Sequence, residues 1–318
     1  MADVELISAG DVPFVLGLHE LGRGTWAYLQ PDGLMGLSNA GLVVGGGASL
    51  LVDTLFDLRL TGDLLTAVAP LVSDNPLHIA VNTHSNGDHT FGNQLVPDDA
   101  VVWASAETAE DFDEYPPEAM AAFQQRDPGG ALAAFDFDGI ELRPPDKTFT
   151  GAVTLDVGGH AVELIEVGPA HTRGDVIVHA ADAGVVFAGD VLFIGVAPMM
   201  WTGPFTNWFA AIERICALEP ELIVPGHGPV TNVAGARKAK EYLEILAGEA
   251  KMRLGRGMSV MEALRDIGVA PFADLLEPER VVNLADHVYA ALDPAYIRMS
   301  TAELASNMAQ LAREWSQS

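Results

Sequence analysis

What most constrains this chain is where its histidines and aspartates fall. Apolar, strand-like runs stop repeatedly at a residue able to ligate a metal ion. Residues 77–82 lead into Thr83-His84-Ser85-Asn86-Gly87-Asp88-His89, which holds two histidines, an aspartate and an amide within six residues. His171 follows the apolar run that ends at Val167. Asp190 ends the run 185–189, and His227 ends the run 222–226. A strand end is a rigid base, and the loop after it lets neighbouring side chains turn toward one point. Imidazole and carboxylate are the ligands that suit zinc or iron. One such segment alone is also compatible with a polar loop carrying two surface histidines; the repetition at separate strand ends is what argues for a shared site. His19, His78, His160, His179 and His287 lie inside or beside strand patterns, or next to acids, and read as packed or surface residues.

Periodicity supplies the frame. Strand signals cover 12–18, 25–29, 42–52, 77–82, 101–104, 152–157, 161–167, 176–180, 185–188 and 221–224. Helical spacing covers 58–71, 106–113 and 206–218, then 236–250, 259–267, 277–292 and 301–315, with Ser259 and Ser300-Thr301 as helix starts. The stretch 112–145, rich in Pro, Gly, Asp and Phe, reads as an irregular or helical insertion and a candidate wall of a binding site. Two β-rich halves with interspersed helices, then a helical tail, predict a layered α/β (α+β) architecture. The expected organisation is a first unit over 1–230 and a helical segment over 231–318, which packs on that unit, caps its pocket or forms a homodimer contact.

Composition removes whole classes of function. With 17 Lys plus Arg against 44 Asp plus Glu, the net charge is −27. That argues against nucleic acid and anionic membrane surfaces, which need a basic face. A single cysteine, Cys216, excludes an intramolecular disulfide and a cysteine-rich zinc scaffold. The N-terminus carries acids and no basic region, so no secretory signal is expected. The apolar run 40–52, broken by four glycines, is too short to span a bilayer. The expected location is the cytoplasm. No G-x-S-x-G elbow, Walker loop or G-x-G-x-x-G after a strand is present.

The set T-H-S-N-G-D-H, a lone His171, a lone Asp190 and Gly226-His227-Gly228 resembles the metallo-β-lactamase superfamily, over roughly residues 12–230. The resemblance implies a four-layer αββα sandwich with its metal site at one edge of the two sheets. It implies that His84 and His171 serve a first metal, that Asp88, His89 and His227 serve a second, and that Asp190 bridges them. Asp53, in Leu51-Val52-Asp53-Thr54, matches the family's early aspartate and would orient the site from behind its ligands. Asn86 stands where the family has a second histidine. An amide oxygen is a poor zinc ligand, so the second position is expected to bind tightly and the first weakly or not at all; alternatively Asn86 ligates through its oxygen or leaves room for water. One or two Zn2+ per chain are implied, with iron or manganese as other candidates.

A bound zinc brings its water to a pKa near 7, supplying hydroxide that attacks a carbonyl carbon while Asp88 or Asp190 takes the proton. Residues 192–208, with Phe193, Met199, Met200, Trp201, Phe205 and Trp208, either pack under the sheets or form an apolar wall beside the metal. Phe112, Tyr115, Phe123, Phe135 and Phe137 are candidates for the facing wall. A hydrophobic ester, thioester or lactone is the expected substrate, and the N-x-D-H variant with a helical tail is similar to cyclase-thioesterases of aromatic polyketide pathways. Three alternatives stand beside this: a mononuclear iron oxygenase built on His84, His171 and Asp190, similar to persulfide dioxygenases; a β-lactamase-like amide hydrolase, disfavoured by Asp190 where several such enzymes carry cysteine; and a non-catalytic metal-binding protein.

Overall fold

A computed structural model describes residues 12–126 and 129–316. The N-terminal segment read above for a secretory signal lies, through residue 11, outside the described residues. Strands β1 (Gly17–Gly22), β2 (Thr25–Leu29), β3 (Ala40–Gly45), β4 (Ala48–Val52), β5 (Leu77–Val81), β6 (Val101–Ser105) and β7 (Lys147–Phe149) form one sheet in that order. Pairing is antiparallel from β1 through β4 and parallel from β4 through β7. The second sheet runs β12 (Leu222–His227), β11 (Val185–Phe193), β10 (Val176–Ala180), β9 (His160–Glu166), β8 (Ala152–Val157), with only β11 and β12 parallel. Among helices, α1 (Leu58–Val72), one turn α2 (Gly87–Thr90), α3 (Ala106–Glu110) and α4 (Pro117–Arg126) attend the first sheet. Helices α5 (Phe205–Ala217), α6 (Val233–Leu254), α7 (Val260–Ile267), α8 (Val281–Leu292) and α9 (Thr301–Trp315) follow.

Side-chain alternation builds the layers. In β4, Leu50 and Val52 enter the core between the sheets, while Leu51 faces the core under α1. In β10, Val176 and Val178 face the first sheet and Ile177 faces the helices. Strands buried on both faces read as continuous apolar runs, as these do. Helix α1 places Leu60, Leu64 and Val68 on one stripe against the first sheet, its start capped by Asp57, which accepts from Leu60 N at 2.7 Å. Helices α5, α6, α8 and α9 share a core with β11 through Trp208, Leu246, Tyr289 and Leu311. The order is helix, sheet, sheet, helix, the expected αββα arrangement. Ser259 and Ser300 each close a capping box, with Glu262 and Glu303.

Several expectations need correction. The first strand is not 12–18 but Gly17–Gly22, because these residues pair with β2, with a register shift between Glu20 and Gly22, and Pro13 precedes them without a ladder bond. The run 42–52 is a hairpin, β3 and β4, turning at Gly46-Gly47. Asp190 does not end its strand; β11 continues to Phe193 and carries Asp190 through a break in register with β12. Strand β7 leaves no signal in the sequence, since Lys147 and Thr148 are exposed and its three residues carry no alternation. No helix of the described residues is long and apolar enough to cross a membrane.

Candidate metal centre

Parallel pairing of β4 with β5, and of β11 with β12, puts the carboxyl ends of these strands at one edge of the sandwich. The edge is tied across the sheets: Val176 N donates to Thr83 O at 2.8 Å, and Asn39 N to Gly226 O at 2.7 Å. There His84, His89, His171, His227 and Asp190 converge, all nearly inaccessible to solvent.

Each imidazole is held from behind by Nδ1. His89 Nδ1 donates to Asp53 Oδ2 at 2.8 Å, His171 Nδ1 to Met199 O at 2.8 Å, and His227 Nδ1 to Gly33 O at 3.1 Å. His84 Nδ1 sits 3.0 Å from Thr83 Oγ1, whose own proton goes to Asp53 Oδ2 at 2.7 Å, so here too the ring donates. A neutral imidazole that donates from one nitrogen offers a lone pair from the other. All four Nε2 atoms therefore face the same acid. Asp190 Oδ2 is 3.3 Å from His171 Nε2, 3.6 Å from His227 Nε2 and 3.8 Å from His84 Nε2, while Oδ1 is 3.1 Å from His89 Nε2. Asp88 Oδ2 lies 3.3 Å from His227 Nε2.

The donor set fits a divalent metal ion. His84, His89 and Asp190 form one cluster of candidate ligands, and Asp88, His89 and His227 a second. His89 Nε2 and Asp190 Oδ1 are buried and, despite their proximity, lack the alignment of a hydrogen bond, so neither has a hydrogen-bond partner among the described residues. A buried polar atom without a partner costs about 1–3 kcal/mol, and an ion between these atoms would remove that cost. Gly226 leaves the room: a Cβ there would lie 1.9 Å from Asp190 Oδ1.

Charge follows the geometry. Burial pushes the Asp190 carboxyl up, but His227, His89, His171 and His84 outweigh it and hold it well below the usual carboxylate range. Burial likewise opposes ionisation of Asp88, yet His89 and His227 bring it down to about 2. Burial pulls His89 down, and the carboxylates of Asp190, Asp53 and Asp88 more than reverse it, raising it well above its ordinary value. His84 is pushed well below the ordinary histidine value by burial, then by its neighbour His89.

Asn86 joins the cluster, 3.1 Å from His84 Nε2 and 2.8 Å from His171 Nε2. The apolar candidates separate. Phe193 stacks flat on His227, centroids 5.1 Å apart, and Trp208 meets His171 edge-on at 6.2 Å. Met199 serves through its carbonyl. Trp201 donates its backbone N–H to His171 O at 2.8 Å and pairs with Tyr115, rings 5.7 Å apart. Met200 and Phe205 are buried in the helical core instead, Met200 clasped by Asn283 through N–H to Oδ1 at 2.7 Å. The facing wall needs the same correction. Phe135 and Phe137 are buried against Phe56 under the first sheet, Phe112 is buried, and Phe123 lies on the surface beneath Arg126.

Two positioning residues were missed. Asp175, buried, accepts from Ala170 N, Thr172 N and Thr172 Oγ1 and so shapes the His171 loop. Asn39 Nδ2 donates to Pro225 O and Gly228 O, holding the two sides of the His227 turn. A carboxylate four residues after His171 was the only available hint of the first; nothing near Asn39 in the chain points to the second.

Residues 34–227 match the sequence profile of the metallo-beta-lactamase superfamily. The chain is 25% identical over 192 residues to the 2,4-dinitroanisole O-demethylase subunit alpha of Nocardioides sp. (58% of this chain, 51% of that protein), and 28% identical over 217 residues to the acyl-coenzyme A thioesterase MBLAC2 of Gallus gallus (63% and 75%). It is 30% identical over 177 residues to a hydroxyacylglutathione hydrolase of Acidiphilium cryptum (55% and 64%). The matches thus span about half of the first of these relatives and 64% of the last. A metallo-beta-lactamase from Pontibacter korlensis superposes with a TM-score of 0.54 at 20% identity (71% of this chain, 98% of that one), and the sec-alkylsulfatase Pisa1 from Pseudomonas sp. with 0.64 at 15% (89% and 51%). These two structures speak to the fold alone. With its profile match, its two-sheet sandwich and this edge cluster of histidines and aspartates, the chain belongs to the metallo-beta-lactamase superfamily.

Proposed function

We propose that this chain is a zinc-dependent hydrolase acting at the carbonyl of an apolar ester, thioester or lactone. The carrying observation is the set of four imidazoles, each engaged outward through Nδ1 and aimed by Nε2 at buried Asp190. When bound, the ion supplies a hydroxide nucleophile at neutral pH and polarises the carbonyl. The chain's own residues do the rest. Asp53, Thr83, Met199 O and Gly33 O hold the rings in the ligating tautomer. Asp190, enclosed and ionised, balances the ion's charge. Asp88, its side chain partly open to solvent, is the carboxylate that can accept a hydrogen bond from the attacking water and orient it.

The surroundings support an apolar acyl group. Phe193 and Trp208 pack on the His171 ring, with centroids 5.7 and 6.2 Å away. Behind Phe193 lies a cavity of about 180 Å3, lined by Val191, Phe193, Trp208, Ile212, Tyr242 and Leu243. Two of the relatives bear the names acyl-coenzyme A thioesterase and hydroxyacylglutathione hydrolase, which favours a thioester. The charge of −27 repels a polyanionic carrier, so neutral esters, lactones and small thioesters are expected to show the lower KM.

The test is turnover of zinc-loaded protein on p-nitrophenyl esters of increasing chain length, acyl thioesters and aryl lactones. The expected result is kcat/KM rising with acyl apolarity, and loss of turnover with chelator, His89→Ala or Asp190→Ala. Full activity in either variant would overturn the site. Iron in the purified protein together with oxygen consumption would overturn the reaction class.

A further inference from the structure

Helix α8 carries an inference that rests on the metal-site reading and extends it to a part of the chain beyond the matched residues 34–227. The helix is buried over consecutive residues from Val281 to Tyr289, yet three of these are polar: Asn283, Asp286 and His287. A buried polar side chain is costly unless it finds partners. Asp286 finds them just after the helix, accepting from Tyr296 Oη at 2.7 Å, Arg298 Nε at 3.0 Å and Met299 N at 3.1 Å. Asn283 and His287 lie one helical turn apart on one face. They reach to the loop between β11 and α5.

Asn283 Oδ1 accepts from Met200 N at 2.7 Å, and its Nδ2 donates to Met200 O at 3.0 Å. Those two groups belong to successive peptide units, Met199–Met200 and Met200–Trp201, neither of them cis. A trans peptide is planar and points its C=O and N–H in opposite directions. The opposite side of each unit meets His171. Met199 O accepts from His171 Nδ1 at 2.8 Å, and Trp201 N donates to His171 O at 2.8 Å. One carboxamide thus fixes two peptide planes, and the two planes hold His171 by its ring and by its backbone. Thr202 N adds a second bond to His171 O at 3.2 Å. His287 hydrogen-bonds the backbone at Met200 and Thr202. A leucine at 283 would fill about the same space and offer neither hydrogen-bonding group.

We infer that Asn283 is a positioning residue of the metal centre: by fixing the two peptide units around Met200 it sets where His171 stands and how its ring is turned. Helix α8 contributes none of the candidate ligands, so its action passes through His171. The helical segment beyond residue 230 is then a working part of the centre as well as a packing layer.

The experiment compares Asn283→Leu with Leu284→Ala, which truncates a fully buried apolar side chain of the same helix; Asn283→Ala replaces the first variant should it fail to fold. The first readout is hydrogen exchange of the Trp201 and Thr202 amides in metal-free protein, corrected for each variant's global stability. Exchange at least tenfold faster in Asn283→Leu, and unchanged in Leu284→Ala, is expected. The second is zinc affinity by competition with a chromophoric chelator, in a double-mutant cycle with His171→Ala. Asn283→Leu alone is expected to lose about tenfold, the lower end for an orienting partner because His287 still grips the loop. It is expected to lose nothing further once His171 is alanine. Losses that multiply in the double variant, equal effects of Asn283→Leu and Leu284→Ala, or amides as slow as in wild type would each overturn the inference. Zinc affinity indifferent to His171→Ala would instead sink the reading of His171 as a ligand, and the amide readout, taken without metal, would alone decide whether Asn283 holds the His171 loop.

Discussion

Replacing Asp53 with asparagine alters one atom of a carboxylate, yet the hydrogen-bond network carries that change to two ring nitrogens aimed into the centre. Asp53 accepts three hydrogen bonds: from Thr83 N at 2.7 Å, from Thr83 Oγ1 at 2.7 Å and from His89 Nδ1 at 2.8 Å. In Asp53→Asn the amide oxygen keeps the first. The amide nitrogen faces the other two as a donor, so both partners must become acceptors. His89 gives up its Nδ1 proton and keeps one on Nε2. The Thr83 hydroxyl, no longer needed at residue 53, donates to His84 Nδ1, and His84 also moves its proton to Nε2. Both rings then hold their remaining proton on Nε2, the atom that an entering ion must take. Removing a partner that orients a metal-ligating histidine typically costs 10–100-fold in affinity, which is about 1.4–2.8 kcal/mol. With two rings affected, the upper end is expected. Folding should suffer little, because the first hydrogen bond is kept, the other two are re-formed with reversed sense, and asparagine tolerates the left-handed φ of +61° at this position. The assay is zinc affinity by competition with a chromophoric chelator, beside thermal melting of the metal-free protein. A fold intact to within about 1 kcal/mol with zinc affinity within threefold of wild type would refute the tautomer argument. Equal losses in both measurements would mean that Asp53 is structural only.

Three further outcomes follow from the same geometry. Gly226→Ala places a methyl group 1.9 Å from Asp190 Oδ1; loss of metal from the purified variant and about 1–3 kcal/mol of destabilisation from overpacking are expected, read by metal content and chemical melts. The raised pKa of His89, held up by Asp190, Asp53 and Asp88 against burial, means that an entering ion displaces a proton. Zinc affinity should climb about tenfold per pH unit until that proton is gone, while the metal-free fold, whose His89 contribution is complete below about 6.5, weakens as pH rises through the higher folded-state value; a flat affinity between pH 6 and 8 would contradict this. Tyr242 lines the cavity behind Phe193 with a buried hydroxyl that has no hydrogen-bond partner among the described residues. Tyr242→Phe should be neutral or stabilising by up to about 1–3 kcal/mol in the free protein, and should raise KM for a substrate whose carbonyl or hydroxyl reaches that phenol.

Much of the frame can be read along the chain because its causes are local. Strands β2, β8 and β10 begin and end where alternation and flanking Gly or Asp put them. The spacing of His84, Asp88 and His89 is local too: a strand end and one helical turn bring them to the same edge. Gly87 permits that turn, since a Cβ there would meet the Phe91 ring at 2.4 Å. Composition alone could not separate Phe193 from Phe135, one flat against His227 and the other beneath the opposite sheet. Both are apolar and near glycine or acid in sequence, and only the course of the chain assigns them to different layers.

The sequence by itself determined the ligand types, their attachment to apolar strands and the layered class, since each depends on residue chemistry and short-range periodicity. Only the tertiary structure decided the proton positions and the approach distances. The partners that set them come from distant parts of the chain: Asp53 for His89, Met199 O for His171, Gly33 O for His227 and Asn39 for the His227 turn. The same holds for Asn86, whose residue type suggests a helix cap and whose side chain is claimed by His171, 85 residues away. A hydrogen-bond network closes on whichever groups the packed sheets bring within 3 Å or so, and nothing in local periodicity encodes which groups those are.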